Sequence, residues 1–194
     1  MTQNIVLVIG HPDPAPQRYL RVLANAYADG AREGGYSVRI IDVATLDFPL
    51  LRTQMEWKTK PVPESLRDAQ RDLMWADHLV IFYPLWLGDV PALFKAFLEQ
   101  VLRPAETVLD GASPFTKKPL ADKSARVVVT MGMPAWVYRW IFGAHSLKNL
   151  SRNVLRFVGV GPIRHTLIGM IEAKDPAKRA KWLKRIRLLG RTGH

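Results

Sequence analysis

Asn4-Ile5-Val6-Leu7-Val8-Ile9-Gly10 decides the fold. The run is apolar without interruption after Asn4, rich in β-branched residues, and closed by a glycine. A strand facing water on one side alternates apolar and polar residues. One that is apolar at every position is buried on both faces, as in a parallel sheet between two layers of helices. Working outward, Leu20, Leu23, Ala24, Tyr27, Ala28 and Ala31 recur at helical spacing within Arg18 to Arg32, and Gly34-Gly35 supplies the stop. Tyr36 to Val43 is a second strand, more polar and therefore nearer an edge. Leu46 to Pro63 reads as a proline-punctuated loop, Glu64 to Ala76 as a helix, and His78 to Tyr83 as a third, wholly apolar strand.

Pro84 to Val90 is a loop, and Pro91 opens a helix that runs to Pro104, a place where proline's fixed φ and missing N–H cost nothing. A loop of about twenty residues leads to strand Ala125 to Met131. An aromatic loop, a helix from Ser146 to Phe157, a strand Ile163 to Ile168 and a basic C-terminal helix complete the chain. Five strands thus alternate with five helices, which predicts an α/β, doubly wound parallel sheet with right-handed crossovers. A TIM barrel needs about 250 residues. The expected strand order is the flavodoxin-like 2-1-3-4-5, whose ligands bind beyond the carboxyl ends of the strands where the order reverses. The loops after strands one, three and four are therefore the ones to inspect.

The bulk numbers agree. The chain has 194 residues, enough for one domain spanning 1–194, and 48% are apolar, an ordinary globular value. No cysteine is present, which excludes disulfides, thiolate nucleophiles and Cys-ligated metals and suits a reducing cytoplasm. The N-terminus lacks the pattern of a signal peptide, and no run approaches the roughly 18 apolar residues of a membrane span. The expected location is cytoplasmic, with a peripheral membrane contact open to the basic tail. The net charge is +11, and from Ala173 to His194 eight Lys or Arg face the single acid Asp175. A solvated outer helix face accounts for that first; a phosphate-rich ligand or membrane surface comes second. No helix-turn-helix, zinc-finger or RNA-binding signature points to specific nucleic acid.

The first loop, Gly10 to Tyr19, joins a buried strand to a helix whose N–H dipoles point at any anion lodged there. It carries neither G-x-G-x-x-G nor G-x-x-x-x-G-K-[ST]. Its prolines remove three N–H donors, which Gln17 and Arg18 offset as side-chain donors; a rigid turn without a ligand fits equally well. In the second loop, Leu85 and Leu87 suit core completion, whereas Trp86 sits at the sheet mouth as an apolar wall for a flat ring, and Gly88 permits close main-chain approach. The third loop, Thr130 to His145, carries Trp136, Tyr138 and Trp140 at alternate positions, which also suits an amphipathic strand or an interface. His145 by itself reads as a structural histidine.

Together these segments resemble the NAD(P)H:quinone oxidoreductase family of flavodoxin-like flavoproteins, which includes the ancillary subunits of bacterial potassium efflux systems. The resemblance covers roughly Ile5 to Ile171 and rests on His11-Pro12, Tyr83-Pro84-Leu85-Trp86, Pro91-Ala92-Leu93-Phe94-Lys95, Thr130-Met131-Gly132 with Tyr138 and His145, and Phe157-Val158-Gly159. It implies that His11, Gln17 and Arg18 meet a flavin phosphate. Pro84, Leu85, Trp86 and Leu87 line the ring, and Thr130, Met131 and Gly132 contact its pyrimidine side. Tyr138 and His145 match the pair that family enzymes place over the flavin, where they help charge move on and off flavin and quinone. The chain departs from the family pattern at Pro16-Gln17-Arg18, at Met133 and at Pro104-Ala105-Glu106-Thr107.

The implied activity is NAD(P)H dehydrogenase (quinone) chemistry: ping-pong hydride transfer from NAD(P)H to a quinone-like acceptor through FMN, with FAD as the other flavin. A homodimer is implied too, with Trp136, Trp140 and Phe142 as the apolar surplus it would cover. The alternative is a regulatory subunit of a membrane ion-efflux transporter with redox activity secondary or lost. A flavodoxin-type electron shuttle is disfavoured, since shuttles are acidic and this chain is basic.

Overall fold

A computed structural model describes residues 3–103, 118, 120–173 and 175–193. The segment Pro104 to Thr107, most of the loop of about twenty residues, and the tail residues Lys174 and His194 lie outside them. Five parallel strands form one sheet in the order β2-β1-β3-β4-β5: β1 Asn4–Ile9, β2 Ser37–Asp42, β3 His78–Pro84, β4 Ser124–Thr130 and β5 Ile163–Ile168. The expected order is the observed one. Strand ends differ from the sequence reading by one residue or so, because the apolar run and the hydrogen-bonded ladder do not stop at the same atom.

The first strand explains the two layers. Ile5, Leu7 and Ile9 point to one face, where they pack with helices α1 (Tyr19–Glu33) and α6 (Pro176–Arg191). Val6 and Val8 point to the other, against α3 (Arg67–Trp75) and α4 (Ala92–Val101). All seven residues of β3 are buried, as a strand with neighbours on both sides and layers on both faces must be. The outer strands β2 and β5 are partly exposed and correspondingly polar.

Two local findings depart from the sequence reading. The segment read as a loop from Leu46 to Pro63 contains a short helix, α2 (Gln54–Thr59). Its start is a Ser/Thr-x-x-Glu arrangement: Glu56 N donates to Thr53 Oγ1 at 3.1 Å, while Glu56 Oε2 accepts from Arg52 N at 2.9 Å. The helix expected over Ser146 to Phe157 is α5 (His145–Asn149) continued by π-helical turns over Leu150–Leu155. Another π-helical turn covers Val137–Ile141, inside the aromatic loop.

The C-terminal helix lies along α1 at unusually short range. A Cβ placed on Gly30 would sit 2.0 Å from Arg187 O, and one placed on Gly190 would sit 2.1 Å from Tyr27 O. The two glycines therefore let each backbone rest on the other. The seam is closed at its ends by an Arg187–Glu33 ion pair and by Tyr19 OH donating to Arg179 O at 3.1 Å. Alanine is the better helix former by about 1 kcal/mol, but a methyl here has no room. Gly190→Ala is expected to lower stability by about 2 kcal/mol, within the range for overpacking a close contact, as read from urea denaturation.

Candidate functional site

The loops after β1, β3 and β4 share the carboxyl edge of the sheet. The β1 loop turns at Gly10, whose N–H donates to Phe82 O at 2.7 Å and whose Cα lies so close to the Phe94 ring that a Cβ would sit 2.7 Å from it. His11 is buried, and its Nδ1 accepts from Asp13 N at 3.0 Å, which puts the neutral ring's proton on Nε2. Burial, and next the Arg21 guanidinium, hold this imidazole below its ordinary range, so it is neutral at pH 7. Its ring meets Trp86 edge-on, centroids 5.7 Å apart, and so joins the first loop to the second.

The rest of the first loop is organised by two side chains. Asp13 accepts from Ala15 N at 2.8 Å and from Arg18 Nε at 2.6 Å. These donors hold its carboxyl below the usual carboxylate range. Arg18 and Gln17 are exposed at the start of α1, which has no side-chain cap and no acid in its first turn. Arg21, in that first turn, is buried and bonds Asp42 at the end of β2 through both terminal nitrogens, at 2.5 and 2.8 Å. Its Nε donates to Asp13 O at 2.8 Å, and Nη2 reaches His11 O at 3.5 Å. Sequence reasoning missed Arg21. The signal was its position on the apolar stripe of α1, three residues before Ala24 and seven before Ala28.

The second loop is a tight hairpin. Trp86 and Asp89 exchange two N–H···O bonds of 3.0 Å around Leu87 and Gly88, whose φ angles are 47° and 80°. Left-handed backbone at both central positions is the type I′ arrangement that asks for glycine at the second. Gly88 is thus needed for its φ. Leu87, at the tip, is wholly exposed, Trp86 is 47% exposed, and Leu85 is half-buried against the core. Pro84 is buried opposite Thr130, and Leu85 N donates to Thr130 O at 2.8 Å, tying the second loop to the third.

Thr130 and Met131 are buried, and the Thr130 hydroxyl has no hydrogen-bond partner among the described residues. Gly132 is exposed beside the Glu172 carboxylate, in the loop after β5. Tyr138 and His145 differ in exposure. The Tyr138 ring is buried, and its hydroxyl lies 2.6 Å from Ser146 Oγ and accepts from Leu147 N at 3.1 Å. His145 is exposed at the start of α5, after a left-handed pair at Gly143 and Ala144. Of the residues singled out in the sequence, His11 and Trp86 meet directly. Leu85 and Thr130 meet through the backbone, and Arg18 joins His11 through Asp13. Among the described residues, no group of three or more His, Asp and Glu is placed to hold a metal ion.

Residues 3–189 match the model of a family described as flavodoxin-like fold. A protein of Haemophilus influenzae named "Uncharacterized NAD(P)H oxidoreductase" is 24% identical over 182 residues, covering 91% of this chain and 88% of that one. Among solved structures, an NAD(P)H:quinone oxidoreductase from Methanothermobacter marburgensis superposes with a TM-score of 0.81 at 22% identity, over 100% of this chain and 98% of the other. An FMN-dependent NADH-azoreductase from Bacillus anthracis, in complex with FMN, does so with a TM-score of 0.72 at 12% identity, over 97% and 98%.

Arg21 is expected to carry the conformation of the first loop. Arg21→Met leaves Asp42 unpaired and removes the donors for the Asp13 and His11 carbonyls, at a cost of about 3 kcal/mol in urea denaturation. Loss of that positive neighbour also raises the His11 pKa toward its ordinary value, which an NMR titration of the ring reads directly.

Proposed function

The chain belongs to the flavodoxin-like fold family, and from that membership we propose that it is a flavin-dependent NAD(P)H oxidoreductase reducing quinones or similar flat acceptors, with FMN as its flavin. The observation that carries the reading is the meeting of three loops at one edge of the sheet, with His11 and Trp86 in ring contact at its centre. The residues there suit the group. An uncapped helix start beside Gln17 and Arg18 offers N–H groups and a cation to a phosphate. Pro84 to Leu87 offer an apolar wall and main-chain groups, and the orphaned Thr130 hydroxyl offers a buried polar contact. The FMN named for the Bacillus anthracis azoreductase supports FMN over FAD.

When bound, the flavin supplies hydride transfer in two half-reactions, from NAD(P)H and then to the acceptor, which gives ping-pong kinetics. The chain's own residues position and shield. A neutral His11 presents Nε2–H as a donor without placing a cation beside Arg18 and Arg21. Trp86 covers His11 from solvent on one side. Tyr138 anchors Ser146 and the first turn of α5, which carries His145. His145, exposed to solvent, is the member of that pair that an incoming acceptor can reach. A second copy of the chain is the proposed cover for Trp136, Trp140 and Phe142, which are 62, 75 and 55% exposed.

The freshly purified protein is expected to be yellow, with absorption in the near-ultraviolet and blue, and to oxidise NAD(P)H when a benzoquinone is added. A colourless protein that cannot be reconstituted with FMN or FAD would defeat the proposal. A finer expectation concerns Asp13, whose carboxylate holds the Arg18 guanidinium and repels a phosphate in the same place. Asp13→Asn keeps an acceptor for Ala15 N but releases Arg18, and should tighten FMN binding by about tenfold in fluorescence titration. Arg18→Gln should weaken it by about the same factor.

A further inference from the structure

A groove of about 1060 Å³ runs over the outer edge of β5, on the far side of the aromatic loop, and its lining includes no residue of the loops after β1 and β3. Among the described residues no Asp or Glu lines it, while Arg126, Arg185 and His165 are among seven basic side chains that do. Arg126 lies within β4, between strands, and is only 7% exposed. Its Nη1 donates to Thr166 Oγ1 at 2.7 Å, and its Nε has no partner among the described residues. Burial is the largest effect on its ionisation; of the neighbouring groups that act on it, the Tyr27 phenol comes first, which burial keeps protonated, and then Arg164 and Arg185, both of its own sign. A buried guanidinium is normally matched by a carboxylate, because its desolvation is otherwise uncompensated.

The surroundings are built for an anion. The Arg185 guanidinium carbon lies 5.1 Å from the centroid of the Trp182 ring, a cation–π contact that holds the charge on the groove wall. Thr166 accepts from Arg126 and still has its own O–H to donate. His165, hydrogen-bonded to Ser151 Oγ at 2.9 Å, lies below its ordinary range through desolvation and through Arg126, Arg139 and Arg156, so the local potential is positive. Two guanidiniums and a hydroxyl lining one groove, with an indole beside them, suit a phosphate group attached to a flat ring.

We propose that this groove is a second ligand site, which binds the phosphate of a soluble phosphate monoester with Arg126 as its buried anchor. Arg126 and Arg185 take the phosphate oxygens, Thr166 donates to a third, and Trp182 flanks the organic part. The groove borders the aromatic loop after β4, Trp136 and Trp140 included, but its lining holds none of the residues assigned to the flavin.

The probes are AMP and inorganic phosphate, titrated calorimetrically into the full chain in a buffer free of phosphate and sulfate. Saturable AMP binding is expected, with phosphate competing and Trp182 fluorescence changing on binding. Arg126→Met, which replaces a buried cation by an apolar side chain of similar reach and should fold, is expected to weaken AMP at least tenfold. Arg185→Gln, on the exposed face of α6, is expected to weaken it several-fold, whereas Arg18→Gln in the first loop leaves it unchanged. Absence of saturable binding overturns the proposal, as does equal affinity in Arg126→Met, or loss of binding in Arg18→Gln. A third arm uses phosphatidylglycerol vesicles: Arg126-dependent pelleting without AMP binding would overturn the soluble-metabolite assignment.

Discussion

Arg21 is the side chain through which this molecule converts a fold into a site. A parallel sheet places the ends of β1 and β2 side by side, with Ile9 in register with Asp42. It does not decide how the chain leaves β1. That decision falls to one buried guanidinium, which takes the Asp42 carboxylate with both terminal nitrogens, the Asp13 carbonyl with Nε and the His11 carbonyl with Nη2. Five N–H donors in a fixed plane suit that task, where a lysine would supply a mobile point charge. The loop's three prolines fit this arrangement, since segments without N–H donors must be held by acceptors and by their own stiffness.

The sheet was legible in the sequence for a physical reason. Central strands of a parallel sheet are apolar along their length, so β1, β3 and β4 stand out as runs, and the alternation with helices fixes the topology by handedness. Other features left fainter marks. The helix α2 buries none of its residues and so carries no apolar stripe; only its Thr53-x-x-Glu56 start announces it, among prolines that read as loop. The π-helical turns at Val137–Ile141 and Leu150–Leu155 shift the backbone period without a distinct composition, and this is why Tyr138 points inward to Ser146 while His145 faces solvent. Two of the buried arginines were visible in principle, Arg21 on an apolar helix stripe and Arg126 inside an otherwise apolar strand. A charge in such a place is a polar group that must have been given a partner.

The positive charge of the chain is likewise not uniform in kind. Several arginines and lysines are spent locally: Arg39 lies 4.0 Å over the Trp75 ring and pairs with Asp72, and Arg187 pairs with Glu33 across the α1–α6 seam. Exposed pairs of this sort contribute little to stability. The groove beside β5 is different, since its basic residues face one another with no acid among the lining residues. The sequence reading placed the excess in the C-terminal helix; the structure shows that α6 supplies one wall and that β4, β5 and the aromatic loop supply the rest.

The open edge of β5 has another consequence. An outermost strand presents unpaired backbone groups that invite another strand to add itself, the first step of uncontrolled association. In β5 that edge carries Arg164 and His165, with Arg126 close behind. Two copies meeting edge to edge would bring like charges together at the short spacing of a β-ladder, where repulsion is strongest. The residues that make this flank receptive to a small anion therefore also make it a poor template for its own kind, and the sheet can stop at five strands without a lid.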